Sequence, residues 1–145
     1  MIKSMQISAS GMAVQRLRMD IIAQNIANMN TTRTARGGPY RRRLISVQEG
    51  IEAKPFSRFL SESSNTFTGH GVEATSVTED PTPFKTIFDP GHPDADDEGY
   101  VHMPNVDNLK EMVDMISATR SFEANVTAFN ATKSMAIKAL EIGRR

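Results

Sequence analysis

The chain has 145 residues, of which 39% are hydrophobic and 23% charged, as expected for one folded domain with extensions. The 17 Lys and Arg residues balance the 17 Asp and Glu residues, so the net charge is zero. The chain therefore has no overall positive potential that would attract nucleic acid or an acidic membrane. Zero cysteines exclude a disulfide framework and thiol catalysis, and no apolar run approaches the length that spans a bilayer.

The first predicted element is a long helix over residues 5–29, with two apolar rows. One row follows strict seven-residue spacing and consists of Met5, Met12, Met19 and Ile26, with Ala9, Ile22 and Ala23 beside it. The second row is rotated most of the way to the opposite side and consists of Ile7, Val14, Leu17 and Ile21. A helix that pairs with one partner needs one row. Two rows therefore predict a second partner, inside or outside the molecule.

The middle of the chain, residues 30–104, is rich in turn-forming residues. The breaker Gly37-Gly38-Pro39 precedes a predicted strand over residues 40–47, and a second strand is predicted over 72–78. Four prolines argue against regular structure from 80 to 94, apart from a short extended piece over 84–88. The Ser-rich residues 57–68 predict a loose loop.

A second long helix is predicted over residues 105–142. Asn105 follows a proline and is the predicted N-cap, with Asp107 in the first turn and Gly143 as the C-cap glycine. One apolar row, in three- and four-residue steps, consists of Leu109, Met112, Ile116, Thr119, Val126, Ile137 and Leu140. A second row, at seven-residue spacing, consists of Met115, Phe122, Phe129 and Ala136. Because phenylalanines seven apart would form an exposed patch, we expect the partner helix or a neighbouring subunit to bury this second row.

These elements predict an elongated, mainly α fold. At 1.5 Å per residue the helices are on the order of 37 and 55 Å long, whereas a compact globule of this size has a radius of gyration near ~15 Å. We expect the N- and C-terminal helices to pair as a coiled coil that carries a small β-containing middle insert. The predicted division is residues 1–30, 31–104 and 105–145, and such a molecule is suited to be a building block.

Candidate chemistry is sparse. Asp94, Asp96, Glu98 and Gly99 mimic an EF-hand loop, but its twelfth position is Asn105 instead of the bidentate Glu, which favours a solvated acidic turn. The three histidines share no ligand spacing. No nucleophile elbow, P-loop or dinucleotide fingerprint occurs, so no catalytic, cofactor-binding or metal-binding residue is predicted.

The run Arg41-Arg42-Arg43 has several interpretations. It could bind phosphate, but in a chain without net charge such a run is usually a solvated strand edge or a binding site for an acidic partner. We expect it to tune assembly or neighbour choice and not to confer affinity for nucleic acid, because no broad basic face is present to release counterions.

Several segments resemble a known family. In the N-terminal helix they are Ser8-Ala9-Ser10-Gly11-Met12, Gln15-Arg16-Leu17 and Asn25-Ile26-Ala27-Asn28-Met29-Asn30-Thr31. In the C-terminal part they are residues 100–106, Glu123-Ala124-Asn125-Val126, Lys133-Ser134-Met135 and Ala139-Leu140. Both sets resemble bacterial flagellar axial proteins, and the middle motifs at residues 30–42 and 91–96 resemble rod proteins of the flagellar basal body. Residues 57–77 match poorly.

The resemblance implies a subunit of the proximal rod, the drive shaft that crosses the periplasm, exported by the flagellar type III apparatus without a cleaved signal. It implies a helical tube of terminal helices, built from this chain and other rod proteins, with the middle domain outside. A coiled-coil adaptor for one soluble partner and a nucleic-acid binder are the alternatives from other classes. The predicted assembly interface is Met12, Leu17, Met19, Ile22, Ile26, Met112, Met115, Ile116, Phe122, Val126 and Phe129.

The residues of the family motif are Asn25, Asn28, Asn30, Thr31, Gly37, Gly38, Pro39 and Tyr40. For the three asparagines two interpretations stay open. They are either helix-end residues that hydrogen-bond locally, or a junction that turns the chain from the helix into the outer domain.

Overall fold

The computed structural model of the protein describes residues 2–50 and 70–143, so the predicted loop at 57–68 lies outside the described residues. The elements in chain order are α1 (Ile2–Ala27), β1 (Arg43–Glu49), β2 (Val72–Glu79), β3 (Lys85–Phe88), β4 (Tyr100–Met103) and α2 (Asn108–Ile142). The two helices dominate and pack together, so the predicted mainly α fold with a small β-containing middle is confirmed. None of the described helices has the length and apolar character needed to cross a membrane.

The two helices run antiparallel along one seam. The hydroxyl of Thr119, which donates to the Met115 carbonyl at 2.9 Å, lies 3.5 Å from Met19 Sδ. A Cβ built on Gly11 would lie 3.0 Å from Asn125 Oδ1. Residue numbers on α1 therefore fall as those on α2 rise. Glycine at position 11 allows this close approach because it has no side chain.

The seam between the helices is polar as well as apolar. The buried residues of α1 are Ser8, Gly11, Val14, Ile21, Ile22 and Asn25. On α2 the buried residues Glu111, Ala118 and Thr132 are separated by multiples of seven, the spacing of a continuous helix–helix seam. The helices thus pair through a narrow, mixed core, and most of the circumference of α2 faces outward.

The start of α2 differs from the prediction, and its end does not. Asp107, at φ −111° and ψ 111°, is the N-cap, and its carboxylate accepts from the Leu109 amide at 3.0 Å. The prediction that Asn105 is the N-cap was wrong. The side chain of Asn105 does not cap the helix, because its oxygen accepts a hydrogen bond from the Arg42 backbone amide at 2.8 Å. Gly143 is the C-cap as predicted, donating its amide to the Ala139 carbonyl at 3.2 Å.

Two antiparallel hairpins form the middle of the molecule. In the first, β1 pairs with β2, with a register shift between Ser46 and Val47. In the second, β3 pairs with β4, from Lys85 opposite Met103 to Phe88 opposite Tyr100. Strands β1, β2 and β3 lie where extended structure was predicted. Strand β4 was not predicted.

The β1–β2 hairpin lies against α1. Val14 and Ile21, from the second apolar row, are buried, and the hydroxyl of Ser10 accepts from the Val72 amide at 3.1 Å. The hairpin is therefore one of the two partners that the rows of α1 predict, and it lies inside the molecule.

Candidate assembly interface

A buried polar network joins α1, the loop before β1, and α2. The Asn25 amide nitrogen donates to the Arg43 carbonyl at 2.9 Å and to Glu111 Oε2 at 3.1 Å. Its amide oxygen accepts from the Tyr40 hydroxyl and from the Arg43 amide, both at 2.9 Å. All four hydrogen-bonding positions of the carboxamide are filled, and the residue is only 1% exposed. Asn25 is therefore the junction between the helix and the middle domain.

Arg42 completes this junction with three carboxylates. Its guanidinium lies 2.6 Å from Glu111, 3.4 Å from Asp114 and 3.5 Å from Asp80. The side chain of Glu111 is fully buried and that of Arg42 nearly so. Buried charges persist only where partners replace the lost water. The expectation that residues 41–43 form a solvated strand edge is wrong for Arg42, because its guanidinium neutralises a buried carboxylate 69 residues away.

Two titratable groups of the junction have altered acidity. Burial raises the pKa of the Tyr40 phenol above its ordinary 10.0, so the neutral hydroxyl that donates to Asn25 is favoured. The pKa of Asp80 is held below its ordinary 3.8, chiefly by the hydrogen bond from the Thr82 backbone amide and also by Arg42. The junction is therefore built from a neutral phenol and an ionised aspartate at neutral pH.

The loop after α1 contains the remaining family-motif residues, and the two interpretations of the asparagines divide between them. Asn28 hydrogen-bonds locally, donating to the Gln24 carbonyl at 2.9 Å and accepting from Thr31. Asn30 is exposed. Gly37 and Gly38 both have positive φ, 81° and 76°, a conformation that strains any residue with a Cβ. Pro39 follows them, half-buried.

The structure divides the predicted interface residues into two groups. The half-buried or buried group consists of Met12, Met19, Ile22, Ile26, Met115, Phe122, Val126 and Phe129. The exposed group consists of Leu17, Met112 and Ile116. The row Met115, Phe122 and Phe129 lies next to the buried seam of α2, so part of its surface is covered within the molecule.

Met112 and Ile116 of the exposed group belong to a larger surface on α2, the outer ridge, formed by Leu109, Met112, Val113 and Ile116. These residues are 73%, 51%, 59% and 54% exposed. They occupy positions i, i+3, i+4 and i+7 over the first turns of α2, which is one continuous face of a helix. The sequence had placed three of them in one apolar row, but Val113 was missed.

Sequence reasoning also missed Glu111. An acidic residue in the first turn of a helix ordinarily complements the helix dipole in solvent. Nothing in the local sequence distinguishes that arrangement from a buried ion pair, because the partner Arg42 is remote in the chain.

Family models match both ends of the chain. Residues 5–33 match the model described as "Flagella basal body rod protein", and residues 97–142 match "Flagellar basal body rod FlgEFG protein C-terminal". The matched ranges contain α1 and α2 almost completely, together with Asn25 and Glu111 of the junction.

Similar proteins cover the chain nearly end to end. It is 50% identical to the flagellar basal-body rod protein FlgC of Bacillus subtilis over 97% of both chains. It is 43% identical to FlgC of Borreliella burgdorferi, over 96% of this chain and 95% of the relative. With FlgC of Aquifex aeolicus the identity is 41%, over 95% and 93%. The chain therefore belongs to the FlgC family of flagellar basal-body rod proteins.

Proposed function

We propose that this chain, a structural subunit of the flagellar basal-body rod, joins its neighbours through the outer ridge of α2 and the adjoining exposed face of α1. The observation that carries the proposal is the exposure of four consecutive ridge side chains, each at least half exposed, on a helix whose opposite side is sealed. A contiguous apolar surface of this kind marks an interaction site in a folded protein.

The expected assembly is a helical tube. A ridge on α2 that meets a different surface of the next subunit is a heterologous contact, and heterologous contacts that do not close on themselves build filaments. The partly exposed Leu17 of α1 supplies an apolar side chain away from the α2 seam, and a shallow apolar groove between α1 and β2 lies beside it. In this arrangement residues 1–30 and 105–145 form the wall, and residues 31–104 lie outside it.

The junction has a mechanical role in this account. Hydrogen bonds are directional, and the network around Asn25 and Glu111 ties the end of α1, the start of β1 and the start of α2 together. Torque applied to the outer domain would therefore be passed to the wall through fixed geometry. We infer that the role is structural and involves no catalysis.

We place the subunit in the periplasmic part of the rod, in contact with further copies and with other rod proteins. We also propose that it reaches this place through the flagellar type III export apparatus. Membership of the FlgC family supports both steps.

The test is Ile116→Glu in cells that encode the chain. A charge on the outer ridge cannot be buried without a partner, so we expect the variant to fold and be exported while rods fail to form and cells do not swim. Lys110→Glu, in an earlier turn of α2 and off the ridge, is the matched control and should support rods. Wild-type swimming by Ile116→Glu at normal protein level would contradict the ridge contact.

A further inference from the structure

A recess rich in arginine opens beside the loop that follows α1. Its walls carry Arg36, Arg41 and Arg43 and one acidic side chain, Glu79, and its volume is about 460 Å³. Three arginines less one glutamate leave a net charge of +2 among the residues that line it. The recess is therefore electropositive in a chain whose total charge is zero.

Two of these arginines are held in place by aromatic rings. The Arg41 guanidinium lies 4.5 Å from the centroid of the Phe84 ring and donates to the Asp80 carbonyl at 3.0 Å. The Arg43 guanidinium lies 5.9 Å from the centroid of the Tyr40 ring. A stacked guanidinium presents its donors in a fixed fork, the geometry that suits carboxylates. The recess is preorganised for an acidic ligand.

The same chain carries such a ligand in the turn between β3 and β4. The Gly99 amide donates to the Asp96 carbonyl at 2.8 Å, which places Asp97 and Glu98 at the two central positions of a tight turn. Both side chains are exposed, and among the described residues neither has a hydrogen bond or an ion pair. The carboxylate of Asp96, in contrast, has a partner, because its Oδ2 lies 3.0 Å from Nε2 of His102. Asp97 and Glu98 form the acidic turn.

The acidic turn of one molecule does not fill the recess of the same molecule. The acidic turn folds back beside the β3–β4 hairpin, where it lines a groove with Thr86 and His102. Among the described residues, neither Asp97 nor Glu98 has a hydrogen bond or an ion pair with an arginine of the recess. Because the two complementary surfaces do not contact each other within the molecule, a contact between them is one between molecules.

We propose that the arginine recess receives the acidic turn of a second copy of this chain. Because the two surfaces differ, the contact is head-to-tail and repeats from copy to copy without closing. It rests on the proposed role of the chain in a repeating rod and adds to that role a contact between the outer domains, separate from the helical wall.

Cysteine cross-linking tests the contact on the purified full-length chain, which has no cysteine of its own. Ala35→Cys lines the recess and Ala95→Cys lies beside the acidic turn, and neither removes a charge. Mild oxidation of the double variant should give a ladder of dimers, trimers and larger species. Ala35→Cys combined with Ala139→Cys, on the last turns of α2, is the control and should give no ladder.

Charge reversal identifies the groups responsible. Arg36→Glu with Arg43→Glu, added to the two cysteines, should lower the ladder yield by about tenfold or more, because like charges then face each other. Adding Asp97→Arg and Glu98→Arg to the same chain should restore it. Lys133→Glu, an exposed site on α2, is the control for the reversed charge and should leave the ladder unchanged.

The outcomes separate this contact from the rod role itself. Absence of a ladder, dimers alone, or failure of the swapped charges to restore the ladder would overturn the head-to-tail contact. If these variants still build rods in cells, the rod role stands without the contact. If the ladder forms but the unmutated chain is never found in basal bodies, the contact stands and the rod role is wrong.

Discussion

The junction and the outer ridge, although adjacent in the chain, invert the usual distribution of side chains. Glu111 is fully buried, while the next residue, Met112, is 51% exposed. The junction seals an amide, a guanidinium and a carboxylate inside the molecule, and the ridge presents four apolar side chains to the surface. The two regions therefore have different roles in the subunit.

The junction determines the geometry of the subunit, and the ridge determines how the subunit associates with its neighbours. Polar contacts are directional and costly to leave unmade, so the junction fixes how the middle domain sits on the helices. Apolar contacts are non-directional and scale with area, so the ridge supplies attraction that becomes available only when a neighbour arrives. Substitutions in the junction should therefore destabilise the free subunit strongly, whereas substitutions on the ridge should leave its stability nearly unchanged.

The largest effect is expected for Asn25→Asp. It replaces the amide that donates to Glu111 with a second carboxylate and leaves two buried acids facing each other. We expect the free energy of unfolding to fall by about 3 to 5 kcal/mol, the range for breaking a buried charged network. Urea unfolding of the purified monomer measures it. Asn28→Asp, where the side chain bonds locally at the helix end, should cost about 1 kcal/mol or less, and equal losses in the two variants would argue against a special role for the junction.

A smaller loss is expected for Gly71→Ala, at the point where the hairpin meets α1. A Cβ at this position would collide with the hydroxyl of Ser10, which accepts from the Val72 amide. Relieving the overlap should cost about 1 to 3 kcal/mol in the thermal unfolding of the monomer. Gly91→Ala meets its nearest neighbour, Asp89, at an ordinary 3.5 Å and is the control. If both alanines are tolerated, the hairpin is not seated on α1 as described.

A third effect concerns Asp80 and the stability of the subunit at acidic pH. Because the folded pKa of Asp80 lies below its ordinary 3.8, the unfolded chain binds this proton first, so the stabilisation is present at higher pH. It is lost as the pH falls from about 4 through the folded pKa. We expect Asp80→Asn to flatten the pH dependence of the unfolding free energy below about pH 4. Comparing unfolding at several acidic pH values with the parent chain tests this, and identical slopes would contradict it.

The smallest effect on the monomer is expected on the ridge. Val113→Ser changes a side chain that is 59% exposed, so the free energy of unfolding should stay within about 0.5 kcal/mol. The same substitution at Val101, which is 2% exposed in β4, should cost about 1 to 3 kcal/mol, since it leaves a small void and a buried hydroxyl. Differential scanning calorimetry of both variants makes the comparison, and a destabilised Val113→Ser monomer would show that the ridge is covered within the molecule.

The helices and most strands were predictable because their signals are local. Seven-residue spacing and the scarcity of Gly and Pro indicated α1 and α2, and the run of prolines excluded helix between β2 and β4. The N-cap of α2 was not predictable, because Asn105 and Asp107 are equally good caps and the choice depends on Asn105 bonding to Arg42. That bond depends on the tertiary fold.

The candidate site was predictable only in part, for the same reason. The sequence placed Met112 and Met115 on apolar rows, but the register of α1 decides which of them faces inward. The pairing of Arg42 with Glu111 spans 69 residues and follows no local pattern. Asn25 was recognised as a candidate junction through its motif, whereas its four hydrogen bonds became visible only in the fold.

Methionine oxidation, compared between the free subunit and isolated basal bodies, shows whether a neighbouring subunit covers the outer ridge. Peroxide attacks exposed methionines faster than covered ones. Met112 is 51% exposed on the ridge, and Met115 lies half-buried beside the α1 seam in the next turn. In the free monomer we expect Met112 to oxidise faster than Met115, and in basal bodies its rate should fall by about tenfold or more as a neighbour covers the ridge. A Met112 rate that is the same in basal bodies as in the monomer would contradict the account.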